Sequence, residues 1–135
     1  MILGLSKGKM LEIAIDELMQ HDLSEAIAAL LGSAVITQTW FAAISRKDRF
    51  PAIIAVDEIQ IFSHLETLGS IVSEGRKYGL ALIAAHQHLR QLPEKLLNDL
   101  LGNAGIRVVF RVSGDDARVL ARSLGDESLS AKLVS

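Results

Sequence analysis

Three features of this 135-residue sequence predict the α/β class, a mainly parallel sheet flanked by helices. Short continuous apolar runs alternate with longer stretches of helical spacing. Two of those runs end abruptly in polar residues, Asp57-Glu58 after one and His86-Gln87-His88 after the next. Half the residues are hydrophobic but only 4% are aromatic. That Leu, Ile, Val and Ala palette is typical of strands buried between helical layers.

Ile2 to Leu5 is a short apolar run broken by Ser6-Lys7-Gly8-Lys9, and Leu11 to Met19 has the spacing of a short helix. Leu23 to Ile44 predicts a long helix with Leu23, Ile27, Leu30, Leu31, Ala34, Val35, Gln38, Phe41 and Ala42 on one face. Within it, Ala26 to Ser45 carries no charge and is long enough to cross a bilayer. Ser33, Thr37, Gln38 and Thr39 interrupt that stretch and several of its apolar positions are only Ala, so a buried domain helix is expected and no membrane insertion. Arg46-Lys47-Asp48-Arg49 is a polar connection whose exit is fixed by Pro51.

Ala52 to Val56 is too short for a helix and apolar throughout, as in a strand covered on both faces. Phe62 to Lys77 has helical spacing at Leu65, Leu68, Ile71 and Val72, and Gly79 lies just past its basic end as a helix stop. Leu80 to Ala85 reads as a second buried strand. Pro93 opens a helix through Leu101, broken by Gly102 to Gly105. Ile106 to Val112 reads as a third strand, and Asp115 to Leu124 as a last helix capped by Ser113 or Asp115. Strands separated by helices imply right-handed crossovers and a parallel sheet whose ligands gather at the carboxyl ends of the strands. Asp57, Glu58 and Gln87 fall at such ends. With no repeat, low-complexity tract or linker, residues 1–135 are expected to form a single domain.

The totals exclude several classes of function. With 14 Lys and Arg against 16 Asp and Glu, the net charge of −2 gives no bulk field toward DNA or an anionic membrane. The lack of cysteine removes disulfide frameworks, cysteine-based zinc sites and thiol catalysis, and suits a cytoplasmic location. The opening Met1-Ile2-Leu3-Gly4-Leu5 lacks the basic start of a signal peptide.

The residues that carry chemistry begin with the acid pair. A buried strand that delivers Asp57 and Glu58 to its tip can place one on a Mg²⁺ shell and leave the next to polarise a water for attack on a phosphoryl group. The same pattern also describes a strand that simply ends in solvent-facing acids. Gln87, thirty residues after Asp57, suits hydrogen bonding to a γ-phosphate or attacking water, or is an ordinary polar loop residue. His86 and His88 flank it without an obvious third ligand, which argues against a metal site. Glu74-Gly75-Arg76-Lys77 places basic residues where they complement a helix dipole, and Arg76 could also reach a neighbour's phosphate. A phosphate-cradling G-x-x-x-x-G-K-[ST] motif is absent. Gly4 to Met10 is one residue short between its glycines and has Met10 where a hydroxyl is required.

Three stretches, PAIIAVDEIQIF from Pro51, LGSIVSEGRKYGLALIAAHQH from Leu68 and LLGNAGIRVVFRVSGDDARVLARSLG from Leu100, together resemble the FtsK/HerA superfamily. The likeness is nearest to HerA-type and TraG/TraD-type coupling ATPases of conjugation and type IV secretion. It covers the later half of such an ATPase domain. The resemblance implies a partial RecA-like P-loop fold and a hexameric motor that uses ATP and Mg²⁺ to move DNA or a secretion substrate. It also implies roles: Asp57 as the Mg²⁺-associated Walker B acid, Glu58 as catalytic base, Gln87 as polar sensor, and Arg76 as the arginine offered to an adjacent subunit. His86 departs from the small or polar residue usual in relatives, and no amino-terminal barrel, membrane anchor or pore loop is recognised. The expectation is thus the Walker B to sensor portion of a motor ATPase, inactive and without tight nucleotide binding when alone. The alternative is a non-catalytic interaction domain derived from one.

Overall fold

The computed structural model describes residues 25–134, so the Ile2–Leu5 run and the Leu11–Met19 helix expected from the sequence lie outside the described residues. The chain divides into two compact units between Ala85 and His86.

The first unit contains α1 (Glu25–Ser45), β1 (Ala52–Val56), a 3₁₀ turn (Ile59–Phe62), α2 (Glu66–Glu74), a second 3₁₀ turn (Gly75–Tyr78) and β2 (Leu80–Ala84). The two strands are parallel, with Ala52 opposite Leu80 and Val56 opposite Ala84. Parallel neighbours need a crossover, and α2 with its flanking turns supplies it. The result is a mixed helical unit around a small two-stranded parallel sheet, compatible with the α/β class.

Ile59, Phe62, Leu68, Ile71 and Leu80 form the centre of this unit's core. α2 packs on β2, and α1 packs on α2 and on both 3₁₀ turns. Burial alternates along β1 and β2 although both runs are apolar at every position. Ile53 lies beside Ala81 and Ala55 beside Ile83. Ile53 and Ile83 on that face are 69% and 57% exposed. The strands expected to be covered on both faces are therefore covered on one, because the described helices of this unit pack against a single side.

The inner face of α1 also differs from expectation. Ala28, Gly32, Ser33, Ile36 and Ala43 are buried, whereas Ile27, Leu30, Leu31, Ala34, Gln38 and Phe41 are exposed. A helix apolar on every side gives no direction to its burial. The packing selects its small residues, which admit neighbouring backbone closely, over its large ones. α1 is long and apolar enough to cross a membrane by length and composition, and 28% of that stretch is buried.

The second unit contains a 3₁₀ turn (Leu89–Gln91), α3 (Glu94–Asn103), α4 (Gly114–Ser123) and α5 (Leu129–Val134). Pro93 precedes α3 as expected of a residue with fixed φ and no amide hydrogen. Between the two candidate caps of α4 the structure selects Ser113, whose hydroxyl accepts the Asp116 amide at 3.3 Å. α5 was not signalled by the sequence. It packs on α4, and Leu133 O accepts the Val112 amide at 2.9 Å.

The third expected strand is absent among the described residues. Ile106 to Val112 runs without regular structure, and Ile106, Val108 and Phe110 are 86%, 74% and 83% exposed. Its Ile, Val and Phe content expresses a β preference, but a strand also needs a ladder partner, and the described residues of this unit hold none. Arg107 anchors the segment instead, donating to the carbonyl of Leu101 and to the Ser123 hydroxyl near the ends of α3 and α4.

Candidate functional site

β1 is apolar up to the buried Val56, and the chain then turns at the exposed Asp57 and the half-buried Glu58. Glu58 has φ 48° and ψ 48°, and no other non-glycine residue among those described has a positive φ. For an L-residue this left-handed conformation costs roughly 1–2 kcal/mol. The neighbouring contacts hold it there. Asp57 Oδ1 accepts the Glu58 amide at 2.8 Å. The amide of Ala85, just past β2, donates to Val56 O, and Ala85 O accepts from the Ile59 amide, both at 3.0 Å. The turn is thus stitched to the end of the second strand on both sides of the acid pair. Non-glycine residues in sparsely populated backbone regions concentrate at functional sites, which directs attention to this tip.

Gln60, two residues on, donates its side-chain amide to Glu58 Oε2, while its own Oε1 is buried without a hydrogen-bond partner. Asp57 spends one carboxylate oxygen on its own turn, and no group of three or more metal-ligating side chains occurs among the described residues. One exposed carboxylate fits a Mg²⁺ that keeps most of its waters and arrives with phosphate oxygens, rather than one held in a protein cage.

Arg76 is at the other end of the sheet. It lies on the 3₁₀ turn between α2 and β2, where the Gly79 carbonyl accepts the Ala52 amide at 2.8 Å. Five-residue strands at about 3.3 Å per residue separate this amino edge from Asp57 and Glu58 by roughly 15 Å. The fold therefore does not bring Arg76 to the acid pair of its own chain. The turn that carries it is tightly built. Arg46 Nη2 donates to Tyr78 O at 2.6 Å and Arg49 Nη1 to Lys77 O at 2.9 Å. The Arg49 guanidinium stacks 4.7 Å from the Tyr78 ring centroid, and Trp40 meets the same ring edge-on at 5.3 Å. A Cβ at Gly75 would lie 2.7 Å from Leu80 O, and one at Gly79, where φ is 68°, would lie 2.9 Å from Arg49 O. Both glycines are required by geometry. Arg76 itself is exposed, and its carbonyl accepts the Gly79 amide at 3.2 Å.

Gln87 is the second residue of the second unit and is exposed. The loop that follows it is tied down by Asp116 of α4, which is 7% exposed. One oxygen of that carboxylate accepts the Leu89 amide at 3.4 Å and lies 3.7 Å from His88 Nδ1. Gln60, Asp116, Arg46 and Arg49 were not singled out by their spacing. Gln60 had a usable signal, since it stands two residues past the acid pair. Asp116 had none, because nothing in the pattern distinguishes it from the exposed Asp115.

Residues 51–135 match the family described as the TraM recognition site of TraD and TraG. The chain belongs to this family. No curated protein and no solved structure matches it. The matched stretch begins one residue before β1 and includes Asp57, Glu58, Arg76 and Gln87, whereas α1 lies ahead of it. The match falls on the TraG/TraD side of the resemblance read from the sequence, and it ties the chain to conjugation.

Proposed function

We propose that this chain is the Walker B to sensor portion of a conjugative coupling protein, in which ATP hydrolysis drives transfer of DNA or a secreted protein. The observation that carries the reading is the strained turn at the carboxyl end of β1. A strand covered on one face spends backbone strain to present Glu58 beside Asp57, as a site for phosphoryl transfer requires. Asp57 would hold the Mg²⁺ that accompanies the nucleotide, and that ion would neutralise charge on the phosphates. Glu58 accepts the proton of the attacking water. Gln87 takes the role of polar sensor. Arg76, too far from its own chain's acids, serves the site of an adjacent subunit, which fits a ring such as a hexamer. The phosphate-cradling loop is supplied from outside this sequence, so the chain alone binds ATP and Mg²⁺ weakly.

The decisive experiment is Glu58→Gln in the intact coupling protein. Turnover should fall by roughly 10²-fold or more, with ATP binding retained. Unchanged turnover overturns the assignment of the base.

The family description supports a second reading, in which this region recognises a partner protein of the TraM kind and has no catalytic role. Under that reading Glu58→Gln leaves ATP turnover unchanged, and pull-down of the partner by the isolated chain succeeds. Micromolar binding of ATP and Mg²⁺ by the isolated chain, measured by calorimetry, would contradict the claim that the chain needs an external phosphate loop.

A further inference from the structure

We infer that Gln60 is a positioning residue, holding the Glu58 carboxylate in its working orientation. The inference rests on the reading of Glu58 as the proton acceptor proposed above. Three observations in the first unit converge on it. The side-chain amide of Gln60 donates to Glu58 Oε2. An ionised carboxylate offers only acceptors, so the Gln60 side chain must turn its NH₂ group, not its carbonyl, toward Glu58. That orientation leaves Gln60 Oε1 buried with no partner. Buried polar atoms are ordinarily satisfied, so a glutamine kept only for packing or stability would not be expected to leave its carbonyl unpaired. The contact that fixes it is the one to Glu58. Finally, Glu58 is left-handed and immediately precedes the Ile59–Phe62 turn on which Gln60 sits. Backbone strain and side-chain tie therefore act on the same carboxylate.

The chemistry explains the arrangement. Glu58 has three rotatable side-chain bonds and sits half-buried at a strand tip. Without a partner its carboxylate samples several rotamers, and a general base must lie within hydrogen-bond reach of the water it deprotonates. A donor on a short rigid turn removes that freedom before substrate arrives. Gln60 itself touches no reacting atom.

Two measurements test this. The first uses the isolated chain and follows the side-chain amide resonances of Gln60 by NMR. Glu58→Ala should move them to the values of a freely solvated glutamine, while Asp48→Ala, an exposed acid in the connection before β1, should leave them in place. Resonances unaffected by Glu58→Ala overturn the tie. The second uses the intact coupling protein with Gln60→Met, which keeps the length of the side chain and removes the donor. Turnover should drop about tenfold to a hundredfold with KM for ATP unchanged, the mark of a misplaced catalytic group rather than lost binding. Unchanged turnover overturns the inference. Glu58→Gln run alongside separates the two ideas. If it abolishes turnover and Gln60→Met does not change it, the positioning role alone fails. If Glu58→Gln has no effect, the reading of Glu58 as base fails, and the NMR arm still decides the contact.

Discussion

The two ends of one small sheet solve the same geometric problem with different residues. At the amino edge the chain enters β2 through a left-handed residue, and that residue is Gly79. At the carboxyl tip it leaves β1 through another left-handed residue, and that residue is Glu58. Glycine adopts the conformation without strain, whereas glutamate does not. The amino edge is also held by two arginines and an aromatic pair. The tip is held by backbone bonds to Ala85 and by Gln60. Where only shape is needed, the fold uses the residue that fits. Where a side chain is needed, it tolerates one that does not.

Substitutions on each side test this contrast, and urea unfolding of the isolated chain reads them. The largest effect should come from the core beneath both ends: Leu68→Ala, at a site with 0% exposure, should cost about 2–5 kcal/mol. Gly79→Ala should cost about 2–3 kcal/mol, since it adds left-handed strain to a clash with the Arg49 carbonyl. A loss under about 0.5 kcal/mol would show that the amino edge is looser than drawn. Arg46→Met keeps the side chain's apolar stem and removes its bond to Tyr78 O, for a loss of about 1.5 kcal/mol. Glu58→Gly should have the smallest effect and the opposite sign. Relief of about 1–2 kcal/mol of strain less about 0.5–1 kcal/mol of added chain entropy leaves a gain of about 0–1.5 kcal/mol. Destabilisation by Glu58→Gly would mean that the glutamate is kept for stability and would remove the basis of the comparison.

The sequence showed the skeleton of both units clearly where local chemistry punctuates it. Ala52–Val56 and Leu80–Ala84 were legible as uninterrupted apolar runs, Gly79 as a stop, and Pro93 and Ser113 as openings of helices. Reading failed where the signal had no direction or no partner. α1 is apolar all round, so its large residues misled about its inner face, which Ala28, Gly32, Ile36 and Ala43 supply. Ile106 to Val112 has the β-branched and aromatic composition of a strand, but strand formation depends on a neighbour that no local pattern encodes. At the candidate site the residue types at 57, 58, 76 and 87 stood out by spacing, which is one-dimensional. The left-handed turn at Glu58, the bond from Gln60 and the arginine clamp around Tyr78 depend on backbone conformation and on residues 28 to 32 positions apart, and spacing does not report those.

The bare stretch from Ile106 to Val112 also has consequences for handling the chain. Seven residues rich in Val, Ile and Phe, without proline or glycine, meet the criteria for a segment prone to cross-β aggregation except for low net charge. Arg107 and Arg111 are the only charges within it and act as gatekeepers by repelling the same stretch in another molecule. Added salt screens that repulsion, so concentrated preparations should stay clear longest in dilute buffer, and Arg111→Val should shorten that interval.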